Sequence, residues 1–477
     1  MRRMLAEGPA RGAVKSQLFV PLAFLLATAL VAAEPLDANR ARSLLTRLLS
    51  AEDAGRATAR LALLKSKDRS LIPALMDALF FAAPEARPDV VACLEGLSGE
   101  RLGARYYSWF EYVGGHEEIR PAVWYRQWKA GLFARIDPAF ARFLDPSAPL
   151  TIRPEEIVWG GVKKDGIPAL KSPKYVAAAE ATFLTDSETV FGVGWRGEFR
   201  AYPQRILDWH EMANDTLSGE PFALSYCTLC GSAIAYGTRL PDGRVLHFGS
   251  SGLLYRSNKL MYDEETFSLW SNLTGEPVAG ALVGKGIVLA VLPLTVTSWK
   301  EWRRSHPLTT VVSLQTGYRR DYTPGALYGR YFSSPDTMFP VWKKDPSLEP
   351  KAWVYGLRRG AAAKAYPLEI LFRERVVNDA VAGEKVVLVA DPEAGSVRAY
   401  ARQSRILAEG PSPRKLIEPA TGALWRIEEE ALLPETPGLP ALERLAGNRA
   451  YWFGWYAFFP ETELYEGCVP GSVDGRR

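Results

Sequence analysis

The chain has 477 residues, 47% of them hydrophobic and 23% charged, a formal net charge of +4, and four cysteines. That length leads us to expect two or three domains with ample core material, and so few cysteines exclude a small disulfide-stapled scaffold. Of the +4, residues 1–33 carry +3 (Arg2, Arg3, Arg11 and Lys15 against Glu7), so the remainder is near +1, which argues against a nucleic-acid binder.

The N-terminus reads as an export signal. A basic leader precedes an apolar stretch from Leu18 to Ala33, and Val31-Ala32-Ala33 before Glu34 suits signal-peptidase cleavage. The stretch falls short of the ~20 residues of a membrane span. The expected location is therefore the periplasm or the exterior; the alternative is a membrane anchor formed by an uncleaved leader. An exported chain can keep disulfides, and Cys93 and Cys468 can pair or stay reduced.

Residues 34–150 read as an α-helical domain. Leu44, Leu45, Leu48 and Leu49 recur at helix spacing, as do Leu71, Ile72, Leu75 and Leu79, then Val90, Val91, Leu94 and Leu97. Pro73 and Pro88 fall near helix starts, where proline is tolerated. Short helices of this kind look like a small HEAT-type stack. A further helical stretch carries Trp124, Trp128, Phe133, Ile136, Phe140 and Phe143.

From about residue 155 the pattern changes to short strands and turns. Pro241-Asp242-Gly243 between Ile234–Thr238 and Val245–Phe248 is a hairpin signal. Two segments then match without gaps at an offset of 164. Val190-Phe-Gly192, Ala201-Tyr-Pro203, Ile206-Leu207, Asn214-Asp215 and Gly219-Glu220 recur as Val354-Tyr-Gly356, Ala365-Tyr-Pro367, Ile370-Leu371, Asn378-Asp379 and Gly383-Glu384. Each reads as hairpin, helix begun at the proline as its N1 residue, then a further strand pair. The endings match too, Trp299-x-x-Trp302, Pro307 and Thr309 against Trp452-x-x-Trp455, Pro460 and Thr462. The expected fold class is α+β: a small all-α, HEAT-like N-terminal domain, then a duplicated, β-rich α+β domain of two pseudo-repeats, 151–317 and 351–467. A Tyr/Pro/Ser-rich linker, 318–350, joins them.

Residues present in both segments are most economically structural. Those in one alone are better candidates for chemistry. Cys227-Thr-Leu-Cys230 stands out: the second segment has Asp391 and Ala394 in its place, and Arg373 where the first has Trp209 before His210. Two thiols at this spacing can form a redox disulfide, half of a metal site, or an inert staple. The following Gly231-Ser-Ala-Ile-Ala-Tyr236 reads as a turn into a strand, not the helix a thioredoxin-type motif needs, and Gly231 stands where haem c attachment needs a histidine. His210 shares the inward face of its helix with Ile206. Placed beside the thiols, it would tune or shuttle protons, or complete a copper, iron or zinc site with Cys227 and Cys230. Glu211, Asp165, Arg200, Tyr262, Asp263 and Trp270 are candidates for substrate binding. Gly192-Val-Gly194-Trp-Arg-Gly197 matches a dinucleotide fingerprint, but Glu198–Pro203 reads as the return strand of a hairpin, so NAD is not expected.

Trp159-Gly-Gly-Val162, Asp165-Gly-Ile-Pro168, Arg200-Ala-Tyr-Pro203, Trp209-His-Glu211, Asn214-Asp215, Tyr226-Cys-Thr-Leu-Cys-Gly231, Leu260-Met-Tyr-Asp263, Leu269-Trp-Ser271, His306-Pro307 and Thr316-Gly317 together resemble the bacterial domain-of-unknown-function family 3179, over about 155–465. The resemblance implies an exported or membrane-associated bacterial protein. In some relatives selenocysteine replaces a cysteine of the pair, which implies redox chemistry rather than a passive staple. It supplies no reaction. The expectation is a thiol-based oxidoreductase in which one of Cys227 and Cys230 attacks and the other resolves, with a small-molecule or protein thiol or electron partner. The alternatives are the metal site and a non-enzymatic binding module with a cleft between the two repeats.

Overall fold

The computed structural model describes residues 36–467; the predicted leader and Cys468 lie outside them. The content is 26% helix and 31% strand, in the order expected for α+β: a helical region, then several sheets. No helix among the described residues is long and apolar enough to cross a membrane.

Seven α-helices come first among the described residues: α1 (Ala38–Leu48), α2 (Asp53–Ser66), α3 (Ile72–Phe81), α4 (Arg87–Ser98), α5 (Tyr106–Gly115), α6 (Tyr125–Phe133) and α7 (Pro138–Phe143). The periodic leucines form their inner faces. Leu45, Leu48, Ile72, Leu75, Val90 and Leu94 are all buried. Pro73 and Pro88 occupy the first turn of α3 and α4, where a missing N–H costs no helical bond. α3 packs against α4, α5 and α6.

Two stretches of the sheet region share one layout. In the first, Thr189–Trp195 pairs with Glu198–Pro203, and α8 (Gln204–His210) follows. The antiparallel strands Met212–Leu217, Glu220–Cys227 and Ser232–Gly237 come next. In the second, Trp353–Arg359 pairs with Ala362–Pro367, then comes helix Leu368–Glu374, then Val376–Val381, Glu384–Asp391 and Ser396–Ala401. The registers agree: Gly192 faces Ala201 and Gly356 faces Ala365. Pro203 and Pro367 are helix N-caps and the last residues of their strands, one place earlier than the expected N1.

Each layout is closed the same way. A Cβ on Gly192 would meet Trp302 at 2.3 Å, and one on Gly356 would meet Trp455 at 2.1 Å, so only glycine admits the indole. Trp302 donates to Thr309 (2.9 Å) and Trp455 to Thr462 (3.0 Å). The Gly192–Gly197 segment is a hairpin, as the sequence indicated. The turn at Pro241–Gly243 also exists, with Leu240 donating to Arg244 O at 2.8 Å. It does not join two strands of one sheet, however. Ser232–Gly237 lies in one sheet and Phe248–Tyr255 in another, and the turn between them holds a single bridge, Arg239 to Val245.

Candidate functional site at the Cys227–Cys230 turn

Cys227 ends a strand and pairs with Ser232, so the Cys-x-x-Cys segment is the tip of a β-hairpin. Gly231 adopts φ +63, and a Cβ there would stand 2.2 Å from the Trp353 ring. Glycine thus serves both the turn conformation and the indole lid. Both cysteines are reduced and buried.

The turn is held by remote stretches of chain. Leu229 O accepts from the Tyr331 hydroxyl at 2.5 Å, and Cys230 O accepts from Tyr451 N at 2.8 Å. Gly454 packs so closely on Cys230 that a Cβ would lie 2.9 Å from its Sγ. Tyr331 belongs to the 318–350 connector, which thus packs on the turn. The apolar cluster around the pair continues into α1–α5 through Trp342, Tyr331 and Phe453.

The polar neighbours set the chemistry. The Cys230 thiol donates to Ser257 O at 3.2 Å, and the same single proton can turn instead to Cys227. Burial pushes the Cys227 thiol up, and the Glu211 carboxylate adds to that. Hydrogen bonds from the Cys230 thiol and from the backbone N–H groups of Cys230 and Lys259 outweigh both, leaving Cys227 below the ordinary thiol value. Burial, then the hydrogen bond to Cys227 and the charge there, push Cys230 well above it. The two thiols are therefore inequivalent, one inclined to be thiolate and one to keep its proton.

Lys259 and Glu211 form a buried pair beside them. Lys259 Nζ donates to Glu211 O at 2.9 Å and lies 3.5 Å from Glu211 Oε2. Burial drives the ammonium down and the carboxyl up; their mutual attraction, and for Lys259 the charge of Cys227, partly offsets it. Asp208, one turn earlier on α8, is 4% exposed with Oδ1 unpartnered. Burial raises its pKa to about 7. Sequence reasoning missed Lys259, Asp208 and Tyr331. For Lys259 a signal existed: it is a charged residue in a six-residue strand, Asn258–Asp263, that is buried throughout.

The second layout shows what this hairpin looks like without thiols. Asp391 occupies the place of Cys227, and its Oδ1 accepts from Glu393 N (3.0 Å) and Ala394 N (3.1 Å). A carboxylate there caps the turn. Ala394 O accepts from Ser298 N at 2.9 Å, the counterpart of Cys230 O with Tyr451 N.

Several predicted site residues are elsewhere. His210 is fully buried, but Nδ1 contacts Pro168 O at 2.9 Å and Nε2 the Tyr322 hydroxyl at 2.6 Å. Both ring nitrogens are thus engaged away from the sulfurs, which removes His210 as their proton shuttle or as a third ligand. Among the described residues no group of three or more His, Cys, Asp or Glu side chains is arranged to hold a metal ion. Arg200 pairs with Asp215 at 2.8 Å and lies 3.9 Å from the centre of the Tyr175 ring, while Tyr202 donates to the same carboxylate. Lys364, Tyr366 and Asp379 repeat that brace, both contacts at 2.9 Å. Asp263 is sealed and accepts from Thr266, Ser268 and Trp270. It braces a turn together with Trp270. Asp165, Tyr262 and Lys164 bond one another, with Tyr262 to Asp165 at 2.7 Å and Lys164 to Tyr262 at 2.8 Å. Of the six residues expected to bind substrate, only Glu211 stands at the thiols.

A family model described as "Protein of unknown function (DUF3179)" matches residues 164–462. No curated protein and no solved structure matches the chain.

Proposed function

The chain belongs to the DUF3179 family, and from that premise and the hairpin geometry we propose that Cys227 and Cys230 form a dithiol–disulfide redox centre. The observation that carries the reading is the placement of two reduced, buried thiols at the tip of one hairpin, with the buried Lys259–Glu211 pair beside them. In the proposed exchange the Cys227 thiolate attacks one sulfur of a substrate disulfide and expels the other as thiolate. Cys230 then gives up its proton and attacks Cys227. The second substrate sulfur leaves reduced, and Cys227–Cys230 becomes the disulfide. Two electrons pass from the dithiol to the substrate disulfide. Lys259 favours the anionic form of Cys227, and the expelled substrate thiolate takes up the proton that Cys230 gives up. Cys227 and Cys230 are 1% and 0% exposed, so exchange requires the cover formed by Tyr331, Trp353 and Gly454 to open.

The test is a redox titration of the protein against glutathione buffers, read by alkylation and mass. A reversible two-electron transition involving Cys227 and Cys230, absent in Cys227→Ser, is expected. A pair that stays dithiol under fully oxidised glutathione, in native and in partly loosened protein alike, would sink the proposal.

A further inference from the structure

A cleft of about 160 Å³ lies between the two layouts, far in character from the thiols. The strands Ser232–Gly237 and Val291–Leu292 wall it on one side, and Gly356, Arg358, Arg444 and Asn448 on the other. No carboxylate among the described residues lines it. Two donors there are unspent. Asn448 Nδ2 is buried without a hydrogen-bond partner among the described residues. Arg358 lies 4.8 Å from the centre of the Phe459 ring and has no carboxylate partner among the described residues. Arg359 and Arg444, by contrast, are paired with Glu384 and Glu429.

The first layout shows what fills such a corner. Asn448 faces Gly356, the glycine packed on Trp455; Thr295 faces Gly192, the glycine packed on Trp302. Two residues beyond these glycines stand Arg358 and Gly194. Around Thr295 and Gly194 the corner is filled by the buried carboxylate of Glu429. Its Oε2 accepts from the Thr295 hydroxyl at 2.7 Å, and a Cβ on Gly194 would lie 3.1 Å from Glu429 Cβ. Arg398 Nη2 completes that site at 2.7 Å. The corner around Asn448 and Arg358 has the donors, the apolar walls and the space, but no carboxylate of its own.

We infer that this cleft binds a small organic carboxylate, which takes in the second layout the place Glu429 takes in the first. Its carboxylate accepts from Asn448 Nδ2 and pairs with Arg358. Its apolar body rests on Leu292 and the Tyr236 ring, both of which line the cleft. The volume is close to the ~150 Å³ cavity that accommodates benzene in an engineered protein interior. The inference is independent of the thiol chemistry.

Calorimetric titration of the whole protein tests it, with benzoate and butyrate as probes and benzyl alcohol as the neutral mimic. At least one carboxylate should saturate one site with Kd of ~1 mM or tighter, and benzyl alcohol should bind ~10-fold more weakly or worse. Arg358→Gln and Asn448→Leu should each weaken the carboxylate ~10-fold while the melting temperature holds. Absence of binding by both carboxylates up to ~10 mM, a benzyl alcohol affinity equal to benzoate's, or wild-type affinity in both variants would overturn it. The benzyl alcohol arm needs no variant, so it decides even if a substitution impairs folding.

Discussion

Replacing Lys259 by methionine removes a buried cation while keeping the shape of the side chain. At 3.5 Å from Glu211 Oε2, an effective dielectric near 20 gives an attraction of about 5 kcal/mol before desolvation is subtracted. The loss of one partner leaves the Glu211 carboxylate buried and uncompensated, for which about 3–5 kcal/mol of destabilisation is the expected scale. Glu211→Gln should cost a similar amount by stranding Lys259. The double variant Glu211→Gln/Lys259→Met should recover more than half of the summed loss, because neither charge then remains. Urea unfolding followed by tryptophan fluorescence supplies the three values. The same variants report on Cys227: without the ammonium its thiolate loses a favourable neighbour, so absorbance at 240 nm should titrate at higher pH in Lys259→Met. A single-variant cost below about 1 kcal/mol, or a double variant as unstable as the sum of the singles, would show that the two groups do not act as a buried pair.

Two further outcomes are expected. Gly231→Ala forces a side chain into φ +63 and against Trp353, 2.2 Å from the new Cβ, and should cost about 2–5 kcal/mol from strain plus overpacking. Gly197→Ala, at φ +79 with open space, should cost only the ~1–2 kcal/mol of strain, so equal losses in thermal melts would refute the packing role of Trp353. Burial lowers His210 below 6.5 and raises Asp208 from 3.8 to about 7, so the two pull stability in opposite directions with pH. In Asp208→Asn, which leaves His210, stability should be full above pH 6.5 and fall as the pH drops below it, because the unfolded chain then binds more protons. In His210→Gln, which leaves Asp208, stability should fall as the pH rises from about 4 to about 7, by at most ~1.4 kcal/mol per unit; melting profiles with the reverse slopes would refute the assignments.

Local features were legible where one stretch of chain carries both the signal and its cause. The Gly192–Gly197 hairpin, the prolines opening α3 and α4 and the leucine faces of the first helices are of this kind. The hairpin placement of Cys227 and Cys230 also followed from Gly231 and the apolar strand after it. What surrounds that hairpin was not legible. His210 sits on the inner face of α8 as its spacing indicated, but which group meets it depends on where Pro168 and Tyr322 are brought, and they are remote in sequence. Arg200 and Asp263 read as polar candidates because a sequence does not show that Asp215 and Trp270 have already satisfied them. Lys259 was passed over for the converse reason: its partner Glu211 lies 48 residues away.

The closure of the cysteine turn has a temporal side. Its cover arrives from Tyr331, Trp353 and Gly454, the last more than two hundred residues downstream of Cys230. Joining such distant stretches is slow compared with forming a hairpin. The strand pair can therefore exist, with its sulfurs open to solvent, well before its roof does. A maleimide pulse during refolding would label Cys227 and Cys230 in that interval and cease to do so once the C-terminal stretch has docked. In that experiment the loss of labelling would time the final assembly step.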